Sequence, residues 1–283
     1  MLLTSELHRE RPSETATPHG CRFTRKIEQY APVADRDVEA LRRLLSAKVQ
    51  TLDAGVPLIE AGEAPTDIHV VLDGWACRSQ VAPNGRRQVL AFHVPGDVCD
   101  FGVFVIREMD SSIVAQTTLK VASIGRAALH TLTTAHPRLA QALWWESAAA
   151  SSIQRHWMLR ICQQTARERL ANLVCELAAR LYVVGLADDN GFEMPLTQSQ
   201  LGGACGLTSE HTNRTLRDLR ETGLMSLERG RILFGDWDRL RELGSFDGRY
   251  LHFRTMRAPG AAAGPVLPAL REVFPGLGEA VGL

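Results

Sequence analysis

Along this chain the spacing of apolar residues changes character several times. Between Val33 and Gln50, Val38, Leu41, Leu44 and Leu45 recur at three and four, which predicts an amphipathic helix. From about residue 51 to 125 the pattern becomes short apolar runs of strand length, IHVVL (68–72), RQVLAFHV (87–94) and LKVASI (119–124), rich in β-branched side chains. Turn residues separate them, with glycines at 62, 74, 85 and 96, and no helical pattern intervenes. Such a meander predicts an antiparallel barrel or roll and argues against a parallel sheet.

Pro137 then opens a stretch to Gln163 with no further Gly or Pro, in which Leu139, Leu143, Ala150, Ile153, Trp157 and Ile161 return to one face. A helix of that length spans about 40 Å. One small domain does not cover so long a face, so its remainder is expected to pack on a second copy of the chain. A second helix covers 165–185, a loop follows at 186–195, and then come two short helices and a possible wing in LERGRILF (227–234). Residues 1–30 lack any period and are expected to be poorly ordered, as is the Ala/Gly/Pro-rich tail 244–283. The expected organisation is therefore a roll at 31–136, a dimerisation helix at 137–163 and a helical domain at 164–243, with a separate core in each of the two domains.

Composition narrows the picture little. The 283 residues, 45% hydrophobic and 23% charged, carry 32 basic and 32 acidic side chains, so bulk charge neither suggests nor excludes a polyanionic partner. Only Lys26, Lys48 and Lys120 among the basic residues are lysines. No run of about 18 apolar residues is present, and MLLTSELHRERPSE lacks the apolar core of a secretory signal, which predicts a cytoplasmic protein without a membrane partner. The six cysteines (21, 77, 99, 162, 175, 205) are scattered and are expected to be reduced thiols.

The chemistry concentrates in TQSQLGGACGLTSEHTNRTLRDLR, 197–220. Thr197 and Gln200 form a capping box that starts a helix, and Gly206 supplies the positive φ where that helix must stop. Gly202 leaves room for a second helix to cross closely, and Thr208 can cap that second helix. On the second helix Thr212, Thr215, Leu216 and Leu219 fall on one side, and Glu210, Asn213, Arg214 and Arg217 on the other. A polar stripe of this kind is either a solvated face with a Glu–Arg pair or a surface that enters a major groove, where Arg can donate twice to guanine and Glu can accept from cytosine. Capping box, turn glycine and short helices together favour the groove.

With these residues in place, about 50 to 243 resembles the Crp/Fnr family of bacterial transcription regulators, through "VVLDG", "VPGDV", "ARERLANLVCELA" and "LTQSQLGGACGLTSEHTNRTLRDLRETGLMSLERGRI". The resemblance implies an α+β protein: an N-terminal antiparallel β-roll (jelly-roll-like, a double-stranded β-helix of the cyclic-nucleotide-binding kind), a long dimerisation helix and a C-terminal winged helix-turn-helix. It implies a homodimer that binds double-stranded DNA at a near-palindrome and acts with RNA polymerase, and no enzyme. Base reading falls on Glu210, Asn213 and Arg214, and phosphate contacts on Thr208, His211 and Arg217. Ser209 stands where some members carry another Arg.

A cyclic-nucleotide site in that family needs a Glu for the ribose and an Arg beside a Ser or Thr for the phosphate after the Pro-Gly-Asp turn. Here PGDVCDFGVFVIREMDSSIVAQ (95–116) offers Asp100 or Phe101 and Asp110 or Ser111, so cyclic AMP is not the expected effector. One cysteine near the start, Cys21, does not make an iron–sulfur site, and His69 and His93 lie in strand runs rather than in ligand spacing, so no cofactor and no metal is implied. Two further readings compete: a small-molecule-binding roll that works through protein contacts without DNA, and a cupin-like metalloenzyme.

Overall fold

A computed structural model describes residues 21–83, 85 and 87–253. Two short helices, α1 (Arg22–Ile27) and α2 (Asp35–Ala47), precede seven strands: β1 (Val49–Leu52), β2 (Pro57–Ile59), β3 (Asp67–Asp73), β4 (Ala76–Val81), β5 (Arg87–His93), β6 (Ser112–Ala115) and β7 (Leu119–Gly125). They pair as two antiparallel sheets, ordered β1-β7-β3 and β2-β6-β4-β5. Alternation along β3 and β7 sorts their side chains: Val71, Leu119 and Val121 fill the roll with Ile59, Met109 and Ile113, and Ile68, Val70, Ala122 and Ile124 pack outward on helices. Gly74 closes the β3–β4 turn at φ +77°, where a Cβ would stand 2.1 Å from the Thr118 carbonyl oxygen. Neither the conformation nor the space admits another residue.

Three helices follow, α3 (Arg126–Ala135), α4 (Pro137–Gln163) and α5 (Ala166–Val183), then a hairpin of β8 (Ala187–Asp188) and β9 (Gly191–Glu193). The described part continues with α6 (Gln198–Cys205), α7 (Ser209–Glu221), the hairpin of β10 (Met225–Glu228) and β11 (Arg231–Phe234), α8 (Trp237–Leu243) and a 3-10 turn at Gly248–Leu251. Strands β8 to β11 make a third antiparallel sheet, ordered β10-β11-β9-β8. The architecture is the expected α+β one. Among the described residues, no helix is long and apolar enough to cross a membrane.

Four expectations need correction. Residues 21–30 are ordered: Phe23 and Ile27 of α1 are buried with Leu41 and Leu45 of α2 against the roll. Six helical residues are too few to display a period; residues 1–20 lie outside the described part. The expected loop at 186–195 contains the β8–β9 hairpin, turned at Asp188–Gly191, where Asp188 Oδ1 accepts the Asn190 and Gly191 N–H groups. The tail beyond Gly244 is built in as far as Phe253, since Phe246, Leu251 and Phe253 are buried and Tyr250 stacks on His156 with ring centres 3.9 Å apart; the rest of it lies outside the described residues. Nor are the cores of the two domains separate: the roll keeps its own interior but also shares a cluster with the helical domain. Trp75, Cys77, Val89, Phe92 and Val94 of the roll share one apolar cluster with α5, α6, α7 and α8.

Helix α4 differs from expectation for a related reason. Its predicted face is covered by its own chain: Leu139 and Leu143 on the roll's helices, Trp157 and Ile153 on α5 and the C-terminal segment, with Ala150 left exposed. The apolar side chains that remain uncovered are Trp144, Met158 and Leu159, at 81%, 65% and 57% exposure. Trp144, Ala148, Ser151, Arg155, Met158 and Cys162 form an exposed stripe at spacings of three and four.

Where the roll, α1, α4 and α5 meet, charge is buried in balance. Asp97 of the Pro-Gly-Asp turn takes Lys26 Nζ at 2.6 Å on one oxygen and Arg180 Nη2 at 2.6 Å on the other. Lys26 also pairs with Glu146 of α4, and Arg180 with Glu176 at 3.2 Å; Arg160 lies 3.8 Å from Glu176. Tyr30 donates to Glu146, while Trp157 and Tyr250 donate to Glu176. Burial works against ionisation of Asp97, but Arg180 and Lys26 outweigh it and hold its carboxyl well below the usual range.

Candidate nucleic-acid interface

Local chemistry fixes the two short helices. The Thr197 hydroxyl accepts the Gln200 N–H at 3.2 Å while Gln200 Oε1 accepts the Thr197 N–H at 2.7 Å, completing the capping box that starts α6. Gly206 ends α6 at φ +67°, a left-handed cap, and the Leu207 N–H turns back to the Gly202 carbonyl at 2.9 Å. Thr208 then caps α7, accepting the His211 N–H at 3.2 Å. A Cβ on Gly202 would lie 2.3 Å from Thr212 Oγ1, so the two helices approach where only a hydrogen fits.

Thr212, Thr215, Leu216 and Leu219 of α7 are buried. The opposite side presents Glu210, His211, Asn213, Arg214 and Arg217, all exposed, with Thr208 exposed at the helix start. Among the described residues no ion pair joins Glu210 to Arg214 or engages Arg217, so these groups remain available to a partner. The structure thus brings the predicted base-reading and phosphate-contacting residues onto one surface, and assigns Thr197, Gln200, Gly202 and Gly206 to building it. Sequence reasoning missed Arg229. It sits exposed with Gly230 at the tip of the β10–β11 hairpin, both at positive φ, in the two-residue turn that connects Glu228 to Arg231. The Arg-Gly pair inside LERGRILF was the available signal.

Inside the roll, Arg78 of β4 is already engaged. It pairs with Asp100 at 2.6 Å and donates to Ser111 Oγ at 2.9 Å and to the Cys99 carbonyl at 2.8 Å, with Asp110 at 3.7 Å. His69 bonds Ser123 within the sheet at 3.0 Å, and burial keeps His93 neutral, its pKa lowered to about 3. Among the described residues no group of three His, Cys, Asp or Glu is placed to hold a metal ion.

Comparison with known proteins adds to this geometry. Residues 49–136 match the family described as cyclic nucleotide-binding domain, and residues 168–243 the Crp-like helix-turn-helix domain, together more than half of the chain. The chain is 29% identical over 225 residues to the transcriptional activator protein FnrL of Cereibacter sphaeroides, covering 76% of this chain and 88% of that one. It is 29% identical over 180 residues to the nitrogen fixation regulation protein FixK of Azorhizobium caulinodans, covering 63% and 72%. The solved structure of FixK2 from Bradyrhizobium japonicum superposes with a TM-score of 0.63 at 26% identity, over 70% of this chain and 98% of that one. Within the matched roll, the Asp100 carboxylate is paired with Arg78, and the Ser111 hydroxyl donates to Asp110 at 2.9 Å.

Proposed function

The chain belongs to the Crp/Fnr family of transcription regulators, which bind DNA through the helix-turn-helix, and from that premise we propose how this member reads its site. Two copies associate along the α4 stripe of Trp144, Ala148, Ser151, Met158 and Cys162, and each inserts α7 into the major groove of one half of a near-palindrome. One observation carries this reading: the polar stripe of α7 is exposed and unpaired while its other side is buried. Arg214 donates to a guanine edge, Glu210 accepts from the paired cytosine, and Asn213 reads the neighbouring base. Thr208, His211 and Arg217 hold phosphates, and Arg229 at the wing tip adds a cation to the backbone contacts.

Three corollaries belong to the same reading. The two-fold axis of the α4 pair places the half-sites about one helical turn apart. The effector of the roll, if it has one, is not cyclic AMP, given the Arg78–Asp100 pair. RNA polymerase is the further partner through which such a cytoplasmic regulator acts on transcription. Matches to a transcriptional activator and a nitrogen fixation regulation protein do not favour the alternative of a roll acting through protein contacts alone, nor an enzyme.

Selection of random duplexes on the purified protein tests this directly. A near-palindrome should emerge, bound by a species of twice the chain mass in light scattering. Recovery of sequence-blind binding only would refute the role given to α7, and a monomer on DNA would refute the α4 pairing.

A further inference from the structure

Helix α6 contains two adjacent glycines, and the helix-turn-helix explains only one. Gly202 faces Thr212, but Gly203 faces the roll: a Cβ there would stand 3.1 Å from Cγ2 and 3.9 Å from Cβ of Val89 on β5. Gln88 Nε2 of the same strand donates to the Gly203 carbonyl at 2.9 Å, and Gln200 Nε2 donates to Gln116 Oε1 just after β6. Val89 is buried in the cluster that also holds Leu201, Ala204 and Cys205 of α6. A short distance away Arg180 of α5 donates to the Phe92 carbonyl at 2.8 Å and to Asp97. Glycine disfavours a helix, so a second one beside Gly202 needs a reason of its own, and the close approach of β5 supplies it.

We infer that Gly203 and Val89 are positioning residues for DNA recognition: their contact docks α6 on the roll of the same subunit and so fixes the angle at which α7 is offered to the duplex. The physical need is plain. Only Gln164 and Thr165 separate α4 from α5, and a helical domain held by that joint alone could pivot. Two recognition helices must nevertheless meet grooves at one fixed separation. A docked α6 removes the pivot, so that the two-fold axis sets both helices at once. This inference rests on α7 as the reading helix.

The separation of 3.9 Å lies within the disulfide range of about 3.5–4.5 Å between Cβ atoms. Val89→Cys with Gly203→Cys should therefore cross-link within one subunit on oxidation. The oxidised protein should bind the site selected by the wild type within about threefold, with the same preferred half-site spacing. Gly203→Leu, a change that favours helix but crowds Val89, should lose at least tenfold on the full site. It should also discriminate less against sites lengthened at the centre by one or two base pairs, a readout that a loss of stability alone would not move. Adding Val89→Ala should restore most of both. Failure to cross-link overturns the docking, and a cross-linked protein that no longer binds, or a Gly203→Leu protein with wild-type affinity and spacing preference, overturns its positioning role. A wild type that selects no palindrome is a different result, and removes the reading beneath.

Discussion

Asp97→Asn isolates what the buried charges contribute. In the native protein the carboxylate neutralises two cations whose side chains are 8% and 6% exposed, Lys26 and Arg180, and one of its oxygens also accepts the Val94 N–H at 2.7 Å. Asparagine keeps the shape but removes the charge and one acceptor, so a cluster of three cations (Lys26, Arg160, Arg180) and three anions (Asp97, Glu146, Glu176) is left with one uncompensated positive charge. Breaking a buried pair from one side costs about 3–5 kcal/mol. Because Lys26 keeps Glu146 and Arg180 keeps Glu176, the lower figure is expected, about 3 kcal/mol. At about 2–4 °C per kcal/mol for a domain of this size, Tm falls by about 6–12 °C. The sign with pH follows from the depressed carboxyl. Its stabilisation is complete above the unfolded value of about 3.9 and is lost as pH falls through the lower folded value. Protonated wild type then resembles the variant, so the gap between the two proteins is widest at pH 7 and narrows below about pH 4. Calorimetry or urea unfolding at pH 7 and pH 3 reads both quantities. A cost below about 1 kcal/mol at pH 7, against the about 3 expected for a buried pair, or a gap that widens in acid, would refute the reasoning.

Further outcomes follow from the site. Arg214→Ala should cost about 1–3 kcal/mol on the selected duplex and relax the choice at one base pair, whereas His211→Ala should weaken binding evenly across sequences; competition with single-base variants separates the two. Gly202→Val should destabilise α6–α7, because its side chain meets a Thr212 hydroxyl already held by the Thr208 carbonyl at 2.9 Å, and Thr212→Ala should relieve it in thermal unfolding. Thiol titration should find Cys162, exposed in the single chain, slowed where the α4 pair forms and fast where dilution separates it. Cys77 and Cys205, pushed up by burial to about 12 and about 11, should stay silent until the protein unfolds, and rapid reaction of either in the native state would contradict their placement.

The parts legible from sequence are those that local rules determine. Capping by Thr197, Gln200 and Thr208, the left-handed turn at Gly206 and the split of α7 into a buried and an exposed side each depend on neighbours within a few residues, so spacing alone reveals them. The strands of the roll were readable for the same reason, since turn glycines and β-branched runs act locally. Asn190-Gly191 and Arg229-Gly230 carried a hairpin signal too, but one partly hidden by runs as short as two residues.

What only the tertiary structure decided is which surfaces meet. Hydrophobic pattern marks Val89, Phe92 and Trp157 as buried without saying against what, and helix α4 is apolar on more than one side, so its pattern could not separate the face covered by its own chain from the stripe of Trp144 and Met158 left open. Lys26, Asp97, Glu146 and Arg180 read in sequence as ordinary charged residues; they become a neutral buried cluster only because segments 71 to 120 residues apart bring opposite charges together where water is excluded. Gly203 shows the boundary between the two: its lack of a side chain is plain in the sequence, but the strand that needs the space belongs to another domain.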